Sequence, residues 1–269
     1  TVSPEHRSAF EAMLAEKVSA LEEQWGVSFH VTLSEQKPST DTLAVTLDNQ
    51  PYRETGHLVF RPAGHGALIE NLNEMDADVV FIKNIDNVVP TSLRETTVRY
   101  KKIIGGCLVK LQRQIASYIQ QLRSGRYTSS DLQEMLSYLH DTLNVRHESV
   151  GVEETTVLAE YLLSKFNRPL RVCGVVKNDG EPGGGPYITY NADNTTSPQI
   201  LEAAQIDPTD TAMTALAKSG SHFNPVDLVC YIKDVDGKKF DLKRFVDKDT
   251  GLISEKSKSG VTVKALELP

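Results

Sequence analysis

The feature that most constrains the fold is a long helical stretch placed between two strand-rich stretches. From about Ser92 to Phe166, apolar side chains such as Ile104, Leu108 and Leu111 recur every three or four positions, as on one face of a helix. Before and after this stretch, short apolar or alternating runs are separated by turn-forming residues, a pattern typical of β-strands. The chain is therefore predicted to be an α/β protein.

The predicted strands lie on both sides of the helical stretch. They comprise residues 27–33, 43–47, 58–60, 78–82, 171–177, 187–190 and 226–232. The run 78–82 is compact and β-branched, as expected of a strand covered on both faces. We expect residues 1–91 and 167–269 to form one α/β domain that ends in β-hairpins. Residues 92–166 are expected to form a helical insertion in it, or a small module beside it.

Composition and charge narrow the classes of protein. With 39% hydrophobic and 24% charged residues, the chain has the composition of an ordinary globular protein. It has neither the roughly 20-residue apolar run of a membrane span nor a signal-peptide pattern, so we expect no membrane contact and a cytoplasmic location. A net charge of −7 opposes non-specific binding to nucleic acid. The widely spaced Cys107, Cys173 and Cys230 are predicted to be core residues.

The strongest local motif runs from Arg61 to Gly66, between a predicted strand and an apolar run that predicts the start of a helix. Gly64 and Gly66 would let the backbone approach a ligand closely, and the N–H groups at a helix N-terminus favour an anion. The motif predicts a phosphate-binding corner that includes His65. A plain strand-to-helix turn would have the same pattern.

A second motif, Lys-Asn-Ile-Asp-Asn at positions 83–87, directly follows the predicted strand 78–82. Its polar side chains therefore emerge at the carboxyl end of that strand, where open α/β sheets bind ligands. A lone carboxylate such as Asp86 suits Mg²⁺, which prefers one or two carboxylates together with substrate phosphates. An Asx turn in which Asn87 caps the following segment explains the same residues without a ligand.

Together, in this order and about 20 residues apart, the two motifs resemble the UDP-sugar pyrophosphorylase group of nucleotidyltransferases. The resemblance extends upstream to Ser34-Glu35-Gln36, and downstream to Cys173-Gly174, Gly183-Gly184-Gly185 and His222-Phe223-Asn224. The amino-acid sequence of residues 60–89, 171–186 and 266–269 more closely resembles a bacterial family described as a domain of unknown function. The resemblance implies a Rossmann-like mixed sheet of nucleotidyltransferase type.

The resemblance also implies roles for individual residues. Asp86 would act as the catalytic residue that holds Mg²⁺ against phosphate, while Gln36 would contact the base. The residues expected to bind a nucleotide, nucleotide sugar or sugar phosphate are Gln36, Arg61, Gly64, His65, Gly66, Asn84, Asn87, Gly183, Gly184, Gly185 and Asn224. The implied reaction is attack of a sugar-1-phosphate oxygen on the α-phosphorus of a nucleoside triphosphate, which releases pyrophosphate. Positioning and charge neutralisation would do most of the work.

One departure limits the implied activity. The glycine-rich loop that cradles the triphosphate in that group precedes the shared motifs and is not found in these residues. Both ends of the sequence look cut, so we expect an internal piece of a longer protein that is inactive by itself. Two alternatives stay open: a non-catalytic protein that binds a nucleotide sugar or phosphosugar, and a helical module at residues 92–166 that binds a protein partner. Exposed apolar residues on the helices would support the second alternative.

Overall fold

The chain folds into two compact units. The structure, a computed structural model, describes residues 1–147, 154–181, 183–258 and 260–269. Unit 1 comprises Thr1–Met75 and Asp241–Pro269, and unit 2 comprises Asp76–Phe240. The helical stretch 92–166 lies in unit 2 together with several strands.

Helices, short 3₁₀ turns and short strands alternate along the chain. The helices are α1 Arg7–Trp25, α2 Ile69–Glu74, α3 Arg94–Ser124, α4 Ser129–Asp141, α5 Thr155–Phe166 and α6 Thr211–Lys218. The 3₁₀ turns are Pro4–His6, Pro38–Thr40, His65–Leu68, Ile85–Asn87, Thr91–Leu93, Ala203–Gln205, Leu242–Phe245 and Lys248–Thr250. The strands are β1 Thr42–Leu43, β2 Arg53–Glu54, β3 His57–Leu58, β4 Phe60–Arg61, β5 Val79–Lys83, β6 Arg146–His147, β7 Leu170–Cys173, β8 Val176–Lys177, β9 Gly185–Tyr190, β10 Thr195–Leu201, β11 His222–Phe223, β12 Asp227–Tyr231, β13 Leu252–Lys258 and β14 Val261–Glu267.

Unit 1 is built from three small antiparallel pairs, β1 with β4, β2 with β3, and β13 with β14. Val45 and Lys264 exchange backbone hydrogen bonds and so tie the first strands to the β13–β14 hairpin. The prediction that the chain ends in β-hairpins is confirmed by the β13–β14 pair. The predicted strand 27–33 is wrong, because within the described residues of unit 1 it has no strand partner.

Unit 2 contains a three-stranded sheet in which β12 lies between β5 and β7 and is antiparallel to both. Helix α3 packs on β7 and β12. Strand β5 agrees with the predicted strand at 78–82. Its two faces differ in burial, because Val80 is buried while Phe81 is 47% exposed. The expectation that this strand is covered on both faces is therefore wrong. The remaining strands of unit 2 form the sheets β6–β10–β9 and β8–β11.

The main core of unit 2 is formed by α3, α4 and α5. The predicted apolar stripe of α3 is buried at Leu108, Ile115 and Leu122. The core cluster consists of Ile115, Tyr118, Ile119, Leu122, Leu132, Met135, Leu136, Leu139, Leu158, Ala159, Leu162 and Phe166. Because α3 also packs on the sheet, the helices and the sheet share one unit.

The α/β class is confirmed, but no Rossmann-like sheet is found among the described residues, where every pair of named strands is antiparallel. The physical reason is that a β-branched run predicts a strand without predicting its partner. Strand β5 pairs with β12, and the paired residues Lys83 and Asp227 are 144 positions apart. No helix within the described residues is long and apolar enough to cross a membrane. Cys230 is buried as predicted, whereas Cys107 is exposed.

Candidate functional site

The residues predicted to bind a ligand fall into two groups, one in each unit. Gln36, Arg61 and residues 64–66 belong to unit 1, whereas residues 84–87, 183–185 and Asn224 belong to unit 2. The two leading motifs follow strands of different sheets, since β4 pairs with β1 and β5 pairs with β12. The predicted common edge of one sheet is therefore not formed.

The Gly64–Gly66 loop in unit 1 has a packing reason for its glycines. Gly64 has φ +75°, which disfavours other residues, and it precedes the turn His65–Leu68. A Cβ atom on Gly64 would lie 2.6 Å from a carboxylate oxygen of Glu267, and one on Gly66 would lie 2.0 Å from the carbonyl oxygen of Leu268. Leu268 N–H also donates to Ala63 O at 2.9 Å. The chain's own segment at 267–269 makes the close approach that the sequence attributed to a ligand.

An ion-paired carboxylate lies beside this loop. Lys256 donates to the Glu267 carboxylate at 2.7 Å, and this hydrogen bond is the largest cause that holds the pKa of Glu267 below its usual range. The carboxylate therefore stays ionised, and a phosphate placed against the Gly64–Gly66 loop would meet a like charge. The simple turn is the interpretation that these contacts favour.

The other two predicted residues of unit 1 have local partners or positions of their own. Gln36 is partly buried, and its side-chain amide donates to the hydroxyl of Thr40 at 3.4 Å. Arg61 is partly buried in β4, where its backbone pairs with Thr42. The predicted roles of Gln36 and Arg61 in ligand binding stay predictions.

Four predicted segments of unit 2 meet at one edge of its sheet, where β5 and β7 end and β12 begins. Asn224 is at the centre and is only 4% exposed. Its amide Nδ2 donates to Gly174 O at 2.5 Å, its backbone N–H donates to Gly184 O at 2.8 Å, and its Oδ1 accepts from Val226 N–H at 3.0 Å. Asn224 thereby joins the 173–174 and 183–185 segments to the start of β12.

The turn Ile85–Asn87 is attached to the same place. Asn87 Nδ2 donates to Pro225 O at 2.6 Å, and the backbone N–H of Asn84 donates to Val226 O at 3.2 Å. Asp86 lies in this turn, although its side chain falls outside the described part of the chain. We call this arrangement of residues 84–87, 174, 183–185 and 224–226 the Asn224 cluster.

Val226 carries backbone strain at the centre of the Asn224 cluster. Its φ is +53°, a left-handed conformation in which a β-branched residue is a genuine outlier. The hydrogen bonds to Asn224 Oδ1 and Asn84 N–H hold it there. Such strain costs of order 1–3 kcal/mol and is found preferentially at functional sites.

The glycine run of the Asn224 cluster packs tightly against neighbouring residues. A Cβ atom on Gly184 would lie 2.5 Å from a methyl carbon of Ile200, and one on Gly183 would lie 2.9 Å from the ring of Phe223. These glycines therefore have structural reasons of their own, and their contact with a ligand stays a prediction.

An ion-paired group that the sequence did not reveal adjoins the Asn224 cluster. Asp227 accepts from Lys83 at 3.0 Å through one carboxylate oxygen and from Lys101 of α3 at 2.8 Å through the other. Burial would raise the pKa of Asp227, but the hydrogen bonds from Lys101 and Lys83 outweigh it and hold the pKa below its usual range. Lys101 lies 126 positions before Asp227, so no local pattern could have predicted the contact.

The donor set at this edge limits how Mg²⁺ could be held. Both carboxylate oxygens of Asp227 are engaged by lysines, and Oδ1 of Asn224 accepts from Val226. Within the described residues, no three His, Cys, Asp or Glu side chains are grouped to hold a metal ion. The side chain of Asp86 lies outside the described residues, so the Mg²⁺ site predicted there stays a prediction.

Helix α3 also retains the exposed apolar residues that a protein-binding module would need. Val98, Tyr100 and Ile103 are 42%, 62% and 54% exposed. No feature of the described residues identifies a partner for this surface.

Comparisons with known proteins give a family and one distant structural likeness. A family model described as a domain of unknown function (DUF4301) matches residues 1–269. Among curated proteins, no sequence matches the chain. Among solved structures, a UDP-glucose pyrophosphorylase mutant from Leishmania major in complex with UDP-glucose is similar with a TM-score of 0.42 and 14% identity. The likeness covers 97% of this chain and 45% of the pyrophosphorylase, so the chain spans less than half of that protein's length.

Proposed function

The chain belongs to the family described as a domain of unknown function, DUF4301, and we propose that it is a nucleotidyltransferase-like domain that binds a nucleotide sugar at the Asn224 cluster. The observation that carries the proposal is the convergence of four segments on Asn224 at one sheet edge. The resemblance to the pyrophosphorylase group covers each of these segments, which lie far apart in the sequence.

In the proposed reaction, the residues of the Asn224 cluster position the ligand. Asn224 and Asn87 keep the turn at 84–87, which contains Asp86, against the start of β12. Asp86 would hold Mg²⁺, and the ion would neutralise charge on the α-phosphate of the transferred nucleotidyl group and on the departing pyrophosphate. The strained backbone at Val226 supports a functional role for this edge, because strain of this kind persists only where the surroundings enforce it.

Calorimetric titration with a UDP-sugar, with and without MgCl₂, tests the proposal. We expect measurable binding that Mg²⁺ strengthens, and we expect Asp86→Asn to remove the strengthening by Mg²⁺. Asp179→Asn is a matched control, because Asp179 is an exposed aspartate of the same unit whose side chain lies 3.8 Å from Lys177. Equal dependence on Mg²⁺ in Asp86→Asn and the unaltered chain would rule out the role of Asp86.

A second candidate function is binding without catalysis, and the Gly64–Gly66 loop favours it. Residues 267–269 cover this loop and place the Glu267 carboxylate beside it, so the loop offers a poor place for a triphosphate. Catalysis needs both reactants fixed at once, and such fixing contributes roughly 7–11 kcal/mol to lowering the barrier.

Pyrophosphate release from a nucleoside triphosphate and a sugar-1-phosphate separates the two candidates. We expect none from these 269 residues, and we expect release from a longer protein that contains them if the domain is catalytic. Persistent binding of a UDP-sugar without release across a broad substrate panel would favour the binding protein.

A further inference from the structure

We propose that Lys83 and Lys101, the lysine pair, form an anion-binding subsite that receives a phosphoryl group of the ligand. This inference rests on the proposed function, because it adds phosphate recognition to the same edge of the unit 2 sheet. Lys83 begins the second motif, where the resemblance gives it no role of its own, and Lys101 lies outside both motifs.

The position of the lysine pair supports the proposal. Lys83 is the last residue of β5 and directly precedes the turn that contains Asp86, while Asp227 is the first residue of β12. Lys101 reaches the same place from α3. A phosphoryl group held here would therefore lie where β5 passes into the Asn224 cluster.

Lys83, Lys101 and Asp227 together carry more positive than negative charge. Two ammonium groups share one carboxylate, which leaves one excess positive charge in a chain whose net charge is −7. An ammonium group has three N–H donors, and each lysine uses one of them on Asp227. Up to four donors are therefore available to an anion, which can accept several of them at once through its oxygens.

The partial burial of the lysine pair and Asp227 strengthens the attraction for an anion. The side chains of Lys83, Lys101 and Asp227 are 23%, 26% and 19% exposed, so a small anion can reach them while the effective dielectric constant is lower than at an open surface. The ring of Phe81 lies 5.6 Å from Lys101 Nζ and restricts the position of the ammonium group. The lysine pair is thus partly desolvated and partly fixed before any ligand binds.

The alternative is that Asp227 and the lysine pair only tie α3 to the sheet. The two possibilities differ in the effect of Asp227→Asn. In an anion subsite, the substitution removes the competing carboxylate, so phosphate should bind more tightly. In a purely structural tie, it should lower stability, and phosphate should restore none of the loss.

The experiment measures the melting temperature of the whole chain with increasing inorganic phosphate, pyrophosphate and glucose-1-phosphate, with glucose as a neutral probe. The variants are Lys83→Met, Lys101→Met and Asp227→Asn. Lys102→Met is the matched control, because it removes the same charge from an exposed position on the same helix. Potassium chloride at equal ionic strength separates specific binding from screening.

We expect the phosphate probes, but not glucose, to raise the melting temperature of the unaltered chain and of Lys102→Met. Each of Lys83→Met and Lys101→Met should weaken the affinity for pyrophosphate by about tenfold or more, and Asp227→Asn should strengthen it by a similar factor. Affinities in the lysine variants equal to that of Lys102→Met would overturn the subsite.

The result for a UDP-sugar separates this inference from the proposed function. If the UDP-sugar binds the unaltered chain and both lysine variants equally, the subsite is wrong and the proposed function stands. If neither the UDP-sugar nor any phosphate probe binds the unaltered chain, both are wrong.

Discussion

The Gly64–Gly66 loop and the Asn224 cluster were predicted as parts of one ligand site, yet they are held in place by different contacts. In the loop, the backbone approaches the chain's own residues 267–269. In the cluster, a buried amide joins separate segments and enforces an unfavourable backbone conformation at Val226. A glycine motif thus establishes that something approaches the backbone closely, without establishing that it is a ligand. Backbone strain held in place by a buried, hydrogen-bonded amide indicates a functional site more specifically than a glycine motif does.

The largest expected effect on stability concerns Asn224→Ala. The substitution removes the hydrogen bonds to Gly174 O and Val226 N–H and leaves buried groups without partners. We expect a loss of about 2–5 kcal/mol in the free energy of unfolding, measured by urea denaturation. Asn87→Ala is the control, because Asn87 is exposed and supplies one hydrogen bond from its side chain to Pro225. Equal losses in both variants would show that Asn224 does not hold the cluster together.

A smaller effect is expected for Gly66→Ala in the loop of unit 1. The added methyl group would meet the carbonyl oxygen of Leu268, so the segment at 267–269 must shift, at a cost of about 1–3 kcal/mol. Gly106→Ala is the control, because Gly106 is helical with open space around it, and alanine there should stabilise the chain by roughly 0.5–1 kcal/mol. Unchanged stability in Gly66→Ala with weaker binding of a UDP-sugar would instead identify the loop as a ligand cradle.

These two regions also show what could be predicted from the sequence. Local patterns identified the strand before Asp86 and the stripe of α3, and they indicated hairpins in the final part of the chain, because each depends on periodicity or on a nearby turn. The antiparallel order of β5, β12 and β7 depends on pairing between distant residues, which no local pattern records. The strand predicted at 27–33 lacks a partner for the same reason, since alternation predicts a strand only where a partner is present.

The candidate site follows the same rule. The separate motifs at 84–87, 174, 183–185 and 224 could be selected by resemblance, but their meeting around Asn224 required the fold. The contact of Glu267 with the Gly64–Gly66 loop and that of Lys101 with Asp227 join residues more than 100 positions apart. Such contacts change the local charge, and charge decides which loop can accept a phosphate.

A still smaller effect on stability is expected from the ion pair of Asp193 with Lys165 in unit 2. Burial would raise the pKa of Asp193, but its hydrogen bonds from Lys165 and Thr195 lower it to about 2. Because the folded-state pKa lies below the usual 3.8, the stabilisation is complete above about pH 4 and is lost as the pH falls toward 2. Asp193 is half exposed, so we expect a contribution of about 1 kcal/mol after solvent screening.

Urea denaturation between pH 5 and pH 2 measures this contribution. Asp193→Asn should be less stable than the unaltered chain at pH 5, and the difference should shrink toward pH 2. Asp179→Asn is again the control, because its ion pair with Lys177 is highly exposed and weak. A constant difference across the pH range would contradict the assigned role of the Asp193 charge.

The smallest expected effect tests the strain at Val226, the feature that most distinguishes the Asn224 cluster from the Gly64–Gly66 loop. Glycine adopts a φ of +53° without steric cost, so Val226→Gly should remove strain of order 1–3 kcal/mol while losing some side-chain burial. The two changes oppose each other, so we expect the free energy of unfolding to stay within about 1 kcal/mol of that of the unaltered chain. Removing a valine of similar burial from relaxed backbone commonly costs about 2 kcal/mol or more. Val172→Gly in β7 is the comparison, because Val172 is partly buried and has no positive φ.

If strain at this edge serves ligand binding, Val226→Gly should also weaken the affinity for a UDP-sugar although the chain stays folded. Equal destabilisation by Val226→Gly and Val172→Gly, with unchanged affinity, would show that the left-handed conformation stores no strain and would remove the feature that favours the Asn224 cluster over the loop.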